Sequence, residues 1–277
     1  MTKPAPLDDG ARQPQPQAAQ PPIARGRTTP QRTATVLDTL RDEILTGQYR
    51  PGERLPSERE LAARFETSRG AVREALKKLE QLGIASIQKG GVRVVAVEEA
   101  TLEVLGPLLE LQAVPDAVLA DQIMQVMSLL VIESARDFAL LATDEQIEYA
   151  RKLISGILSG APGSPETLEK RVALGRHFME TCGNLPMRLI ANGLRIQFSQ
   201  KMTDRGFAPR PEPVAFRIAL LKVHTALAER DAEAVAAAMR EVMQVNRRAL
   251  RDALEAAGAT HRGLDLIPSP PPRGLNR

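Results

Sequence analysis

The stretch from Arg54 to Val97 limits most strongly what this chain can fold into. Ser57, with Glu60 three residues later, forms a capping box, so a helix begins at about Ser57. Apolar residues then recur at the three- and four-residue spacing of one helical face over residues 61–65 and again over residues 72–82. Because only the short polar run E-T-S-R separates the two periods, the helices must cross at a steep angle. The stretch therefore predicts a helix-turn-helix.

The first turns of the second helix carry Ser68, Arg69, Gly70 and Arg73. Arg69 and Arg73 are four residues apart and share the face opposite the leucines, so both can enter one groove of duplex DNA. The planar fork of an arginine spans the O6 and N7 acceptors of guanine, which makes both residues candidate base readers. Free backbone amides at the start of this helix favour phosphate contacts beside them.

Two short β-prone runs, I-A-S-I-Q and V-R-V-V-A-V, follow Gly83 and flank Lys89, Gly90 and Gly91. This pattern predicts a β-hairpin with a basic, glycine-containing tip, which is the wing of a winged helix. A tip of small residues can approach the minor groove more closely than a bulky one. Upstream, the apolar spacing over residues 35–47 predicts the first helix of the same domain.

These motifs resemble the amino-terminal domain of the GntR family of bacterial transcription regulators. The family pattern, which begins P-G-x-x-L-P-S-E-R-x-L-A and continues through S-R-x-x-V-R-x-A-L-x-x-L, matches residues 51–79 with strict spacing. Two residues depart from the family pattern, since Thr67 replaces a small apolar residue and Gly70 is uncommon just inside a helix. The resemblance implies DNA contacts at Arg59, Ser68, Arg69, Arg73, Lys89 and Gly90.

Arg59 has an alternative role within the same segment. On the surface of the first helix of the pair it could be solvated, or it could form an ion pair with Glu58 or Glu60. The family match favours the DNA contact over both alternatives.

Composition favours a helical fold for the rest of the chain. At 277 residues the chain is long enough for two domains. Aromatic residues make up only 3% of it and tryptophan is absent, so a core of Leu, Val, Ile and Ala favours helices packed on helices. The expected fold is mainly α, with an amino-terminal winged helix-turn-helix and small hairpin wing followed by an all-α antiparallel bundle.

Charge and cysteine content narrow the function. The formal net charge of +3 permits nucleic-acid binding without demanding it. The single cysteine, Cys182, excludes an internal disulfide or a zinc finger of several cysteines, and fits a reducing cytoplasm. Cys182 could be a nucleophile, but beside Gly183 and far from a paired histidine it is better interpreted as a small buried residue.

The chain divides into five segments. Residues 1–30 are rich in Pro, Gln, Ala and Arg and contain no apolar run of signal-peptide length, so we expect a disordered arm. Arginines in and beside this arm could attract DNA phosphates or could be plainly solvated: Arg25, Arg27 and Arg32. The other segments are a winged domain at 31–97, a linker at 98–115, an effector-binding and dimerisation domain at 116–257 and a proline-rich tail at 258–277.

The second domain shows the periods of six or seven helices. They fall at about 116–141 with a break, 144–159, 165–182, 185–205, 212–229 and 231–256. This region resembles, more loosely, the ligand-sensing domain of the FadR subgroup of the same family. The resemblance rests on Glu133, on the pair Gly183-Asn184 and on the segment from Ala228 to Met239.

Many members of that subgroup hold a metal in this domain on an aspartate and three histidines. Counting from Gly183-Asn184 and from Asp231 places the four positions on Arg171, Gly175, Leu220 and Val242. None of these side chains is a metal ligand, because a divalent ion needs imidazole or carboxylate groups. We therefore expect neither a metal nor another cofactor.

The replacement of these ligands predicts a wide, apolar pocket for an effector that is a carboxylate or an acyl compound such as a coenzyme A thioester. The candidate ligand-binding residues are His224, Asn246 and Arg171. His224 lies one turn from Leu220, and Asn246 lies one turn from Val242, so both would face the same interior. The alternative for both is a plain surface position or a satisfied polar group in the core.

The sequence as a whole favours a cytoplasmic bacterial repressor or activator that is neither an enzyme nor associated with a membrane. We expect a homodimer on a pseudo-palindromic operator, with a DNA affinity that the effector changes. One alternative is an effector-independent architectural DNA-binding protein, although nonspecific binding needs only charge and leaves the long bundle unexplained. A second is an enzyme that uses the bundle, but no phosphate loop, nucleophile elbow or paired metal motif supports it.

Overall fold

The structure is a computed structural model that describes residues 29–207 and 210–262. Its amino-terminal part contains α1 (Thr29–Leu45), α2 (Glu58–Arg64), α3 (Arg69–Gln81), β1 (Ala85–Gln88) and β2 (Gly91–Val94). Two short 3-10 turns (Val97–Glu99 and Leu102–Val104) follow, and then α4 (Leu105–Glu110), α5 (Ala117–Leu141), α6 (Asp144–Ser159), α7 (Pro165–Thr181), α8 (Leu185–Leu194), a π-helical turn (Arg195–Gln200), α9 (Lys201–Asp204), α10 (Pro213–Glu229) and α11 (Ala232–Ala256). The predicted fold class is confirmed. The predicted arm and tail lie almost entirely outside the described residues.

The capping box predicted at the start of α2 is present. The Ser57 hydroxyl oxygen accepts a hydrogen bond from the Glu60 amide, and the Glu60 carboxylate accepts one from the Ser57 amide at 2.7 Å. The predicted hairpin is also present, with β1 and β2 antiparallel and Gln88 paired with Gly91 at the turn. By contrast, α1 begins at Thr29 rather than near residue 35. Pro30 does not prevent this early start, because the amides of the first helical turn have no partner within the helix and the amide that proline lacks is one of them.

The predicted linker is a structured part of both domains. Val104 and Leu108 are buried in the hydrophobic core of the winged domain, whereas Leu109 is buried in a core cluster of the helical domain. The guanidinium of Arg205 also donates three hydrogen bonds of 2.6 Å to backbone carbonyls of this segment: Leu109, Gln112 and Ala113. The apolar side chains of the linker therefore pack into the cores of both domains. The hydrogen bonds from Arg205 fix the linker against the end of α9.

The central helix of the bundle, α5, packs against α7, α8 and α11. The predicted break in this helix is wrong: α5 is continuous over 25 residues, since its sequence contains neither glycine nor proline. By length and composition alone α5 could cross a membrane. In the bundle it contributes Ala135 and Phe138 to one core cluster and Ala120 and Ile123 to another, as the core helix of a packed domain does.

The helix predicted at 185–205 has an irregular middle. Asn184 caps its start by accepting a hydrogen bond from the Met187 amide, and the π-helical turn then interrupts the α-helical pattern. Cys182 lies just before it at the end of α7 and is only half-buried, with its thiol 3.2 Å from the Met179 carbonyl oxygen. The sequence predicts that Cys182 is a small buried residue, and its burial is only partial because it follows the last residue of α7.

Candidate nucleic-acid interface and internal cavity

The start of α3 projects from the small core of the winged domain. Ser68 caps this helix, with its hydroxyl oxygen accepting a hydrogen bond from the Ala71 amide at 3.1 Å. Arg69 and Gly70 are the first two helical residues, and both are exposed. The opposite face of α3 is buried through Val72, Ala75, Leu76 and Leu79. Burial of that face holds the first turn outward, where an arginine can reach the major groove.

Arg73 lies one turn later on the same exposed face and has an acidic partner. Its Nε and Nη2 atoms donate hydrogen bonds of 2.9 and 2.7 Å to the two carboxylate oxygens of Glu58, at the start of α2. This contact lowers the pKa of the Glu58 carboxyl and raises the pKa of the Arg73 guanidinium. The Arg73 side chain nevertheless remains 59% exposed. Glu58 thus fixes the plane of the fork and leaves the remaining donors of Arg73 open.

Arg59 and Arg69 are both exposed cations on this surface. Among the residues that the structure describes, neither forms a hydrogen bond or an ion pair through its side chain. The two glutamates that were alternative partners for Arg59 are engaged elsewhere, because Glu58 binds Arg73 and Glu60 completes the capping box. The ion-pair alternative for Arg59 is therefore not what the structure shows.

The wing ends in a two-residue loop of Lys89 and Gly90, both exposed. Gly91 follows with a φ of +119°, and a Cβ there would lie 2.5 Å from the Nε atom of Arg54. The positive φ favours glycine at this position, because residues with a Cβ rarely adopt this backbone conformation. The Arg54 side chain lies next to Gly91 of the wing. Arg93 on β2 donates a 2.8 Å hydrogen bond to the carbonyl oxygen of Gly52.

A cavity of about 610 Å³ lies inside the helical bundle. It is bounded by α5, α7, the π-helical turn, α10 and α11, and its walls are mainly apolar. All four positions obtained by counting along the sequence line this cavity: Arg171, Gly175, Leu220 and Val242. Within the described residues, no group of three or more His, Cys, Asp or Glu side chains could hold a metal ion. The residues at these positions do not fit a metal, since they offer no ligand and Arg171 brings a positive charge.

Arg171 is one of the charged residues in the cavity wall, together with Arg195 and Asp204. Its Nη2 atom donates a 2.7 Å hydrogen bond to the Oδ1 atom of Asn246, and its guanidinium carbon lies 4.8 Å from the centre of the Phe216 ring. Burial lowers the pKa of Arg171 below its ordinary value. No carboxylate pairs with it among the described residues, although Asp204 also lines the cavity, so Arg171 is a largely buried positive charge without an ion-pair partner there.

His224 does not share this environment. It lies near Arg151 and Glu148 of α6 and is not among the described residues that line the cavity. Burial and the charge of Arg151 lower the pKa of His224. The prediction that His224 faces the same interior as Leu220 is therefore wrong. Four residues advance the helix by roughly 40° beyond one full turn, which is enough to rotate His224 toward α6.

A comparison with known proteins identifies the amino-terminal domain. Residues 32–95 match the family model described as bacterial regulatory proteins, gntR family. This match spans the capping box, both helices of the helix-turn-helix and the hairpin. Residues 32–95 are thus similar to the gntR family over the whole winged domain, which we call the gntR domain.

Curated relatives of the gntR domain are described as transcription regulators. Mce2R of Mycobacterium tuberculosis is 43% identical over 74 residues, which are 27% of this chain and 29% of that protein. The Uxu operon transcriptional regulator of Escherichia coli is 34% identical over 132 residues, which are 46% of this chain and 50% of that protein. The chain thus spans half or less of the length of these relatives.

A solved structure of a Streptococcus agalactiae GntR protein aligns with 78% of this chain and 99% of its own, with 23% identity and a TM-score of 0.42.

The predicted DNA-contacting residues all lie on the surface of the gntR domain, at the start of α3, on α2 and at the wing tip: Arg59, Ser68, Arg69, Gly70, Arg73, Lys89 and Gly90. Their contacts with DNA stay predictions, as do effector contacts by Arg171 and Asn246. The sequence analysis missed two features, the cation Arg54 and the carboxylate Glu58 that orients Arg73. Arg54 carries no helical periodicity, and only the crossing of α2 and α3 brings Glu58 to Arg73.

Proposed function

We propose that this protein is a cytoplasmic, homodimeric bacterial transcription regulator. Its gntR domains bind the two halves of a pseudo-palindromic operator, and an acidic or acyl effector in the bundle cavity changes their DNA affinity. The observation that carries the proposal is the outward-facing first turn of α3, where Arg69 is exposed and without a partner among the described residues while Val72 and Leu76 anchor the opposite face.

The experiment that tests sequence-specific binding is Arg69→Ala. An operator is first selected from random duplexes with the wild-type protein, and binding is then measured by fluorescence anisotropy on the operator and on random DNA. We expect the variant to lose roughly 1 to 3 kcal/mol of preference for the operator, because one bidentate base contact disappears. Its affinity for random DNA at low salt should change less.

Lys78→Ala is the matched control for this experiment. Lys78 is an exposed cation on the same helix, roughly 13 Å further along the axis and on the other side. It should leave the preference for the operator unchanged. An equal loss of affinity for operator and random DNA in Arg69→Ala would contradict base recognition by Arg69.

Exposed apolar side chains on the bundle support the homodimer. Val126 and Leu129 on α5 are 45% and 64% exposed, and Leu189 on the adjacent α8 is 62% exposed. Exposed leucines at this density mark an association surface, and a symmetric pair of gntR domains needs a two-fold contact. Leu129→Glu should therefore convert the dimer to a monomer in sedimentation velocity, whereas Val214→Glu on α10 should not. A wild-type protein that is monomeric at micromolar concentration would exclude the dimer.

The surroundings of Arg171 support the effector. A guanidinium without an ion-pair partner in a mainly apolar cavity favours a ligand that has a carboxylate and an apolar body, and the cavity volume is typical of small-molecule sites. We propose that no metal or other cofactor takes part. The π-helical turn lines the cavity through Ser199, while Lys201 next to it forms an ion pair with Glu110 of α4. The π-helical turn and the ion pair between Lys201 and Glu110 thus connect the cavity with the segment that leads to the gntR domain.

A further inference from the structure

A second cavity of about 470 Å³ adjoins the first, between α5, α7 and α8. Met127, Val131, Arg171 and Ser199 are among the residues that line both cavities. The two spaces therefore share a wall that includes the Arg171 side chain, and a ligand that extends past Arg171 enters the second cavity.

The second cavity is lined by more cations than the first. Four arginines line it, namely Arg171, Arg176, Arg188 and Arg195, whereas Glu180 is its single acidic lining residue. The first cavity shares Arg171 and Arg195 and has Asp204 as its acidic lining residue. In the described part of the chain, the side chains of Arg176, Arg188 and Arg195 form no hydrogen bond and no ion pair. Other arginines of the bundle do pair with carboxylates, as Arg247 does with Asp121 at 2.7 Å.

Local helix geometry explains why two of these arginines face the same space. Arg188 on α8 and Arg195, the first residue of the π-helical turn that continues it, are seven residues apart, so they lie about two turns from each other on the same side. Arg195 begins the π-helical turn, whose Ser199 also lines both cavities. A π-helical turn changes the direction of the side chains that follow it, and such turns occur frequently at functional sites.

We infer that the second cavity binds an anionic head group with two or more negative charges, such as a phosphate ester, whose apolar body occupies the first cavity. The inference rests on the proposed effector cavity and specifies its ligand class. Arg171 alone balances one carboxylate. Three further guanidinium groups around one concave space repel one another until an anion binds, and the guanidinium fork matches the geometry of phosphate oxygens.

The test compares two ligands with the same chain, decanoate and decyl phosphate, by isothermal titration calorimetry below their micelle concentrations. At about pH 8 the phosphate monoester carries close to two negative charges. We expect wild-type protein to bind decyl phosphate about tenfold or more tightly than decanoate, because charge-assisted hydrogen bonds are added. The variant with Arg176→Gln and Arg188→Gln, two residues that line the second cavity but not the first, should lose this difference and keep its affinity for decanoate. Arg240→Gln, an exposed arginine on α11 outside both cavities, is the control.

Each outcome separates the inference from the proposed function. Equal wild-type affinities for the two ligands, or a preference for decyl phosphate that survives in the double variant, would overturn the head-group site while leaving the effector cavity in place. Absence of binding by both ligands would overturn the cavity as well, whereas operator binding stands or falls with the Arg69 experiment. If the double variant does not fold, as judged by circular dichroism, the single variants Arg176→Gln and Arg188→Gln provide the same comparison.

Discussion

The gntR domain and the bundle use arginine in opposite ways. On the gntR domain, Arg73 is exposed and its fork is held by the Glu58 carboxylate. In the bundle, Arg171 is largely buried, meets only the neutral Asn246 and Phe216, and has no acidic partner in the described structure. A solvated surface tolerates a charge with or without a partner, but a buried charge needs one. This difference is the reason for proposing that a ligand supplies the partner of Arg171.

The two regions also differ in how completely their hydrophobic cores are filled. The core of the gntR domain is filled by fully buried residues such as Leu40, Leu61 and Leu79. The bundle encloses a cavity of about 610 Å³, and buried residues such as Leu220 border it. A side chain that borders a void has fewer contacts to lose when it is shortened.

The largest expected effect tests this difference in packing. Leu79→Ala should destabilise the gntR domain by about 3 to 5 kcal/mol, whereas Leu220→Ala should cost the bundle about 2 kcal/mol, at the low end for buried leucines. Tyr49 in the gntR domain and Tyr149 in the bundle are the two tyrosines of the chain. Urea unfolding followed by tyrosine fluorescence in Tyr149→Phe and Tyr49→Phe backgrounds therefore reports each domain separately. Equal costs at the two leucines would remove the contrast in packing.

The second prediction concerns the unpaired charge. Arg171→Met should raise the stability of the ligand-free bundle by about 1 kcal/mol, because a buried charge without a partner is replaced by an apolar side chain of similar length. The same variant should abolish the change in operator affinity that decanoate causes, as measured by fluorescence anisotropy.

Arg240→Met, at an exposed position on α11, serves as the control and should change neither property. Treatment of wild-type protein with EDTA should leave the decanoate response intact. A destabilised Arg171→Met bundle with a normal response would show that Arg171 has a structural role only.

The prediction with the smallest expected effect concerns the ion pair between Glu58 and Arg73. Glu58→Gln removes a negative charge beside Arg73, so affinity for random DNA should rise by less than about 1 kcal/mol and the salt dependence should steepen by about one unit. Preference for the operator should fall, since Arg73 is no longer oriented. Because Arg73 lowers the pKa of Glu58, the pair is intact at neutral pH and is lost only as pH falls through that lowered value.

Glu74→Gln is the matched control for Glu58→Gln, because Glu74 lies on α3 and pairs with Lys77 instead. Unchanged preference for the operator in Glu58→Gln would show that Arg73 needs no orientation.

Most elements could be predicted from local sequence. The capping box at Ser57 and the apolar spacing of α3 fixed the helix-turn-helix, since caps and helical periods are determined by residues within one or two turns. The bundle helices began and ended close to their predicted positions for the same reason. The continuity of α5 and the early start of α1 escaped prediction, because periodicity alone does not determine where a helix extends when no breaker is present.

The candidate DNA-contacting surface could be predicted from the sequence more completely than the cavities of the bundle. Spacing alone put Arg69 and Arg73 on one face of one helix, so the chain itself determined the candidate DNA-contacting surface. Counting along the sequence also brought Arg171 and Val242 to one cavity, but it misplaced His224. Only the tertiary structure decided that Glu58 meets Arg73, and that Arg188 and Arg195 join Arg171 around a second cavity. The physical reason is that contacts between helices depend on crossing angles and rotations, which no local pattern records.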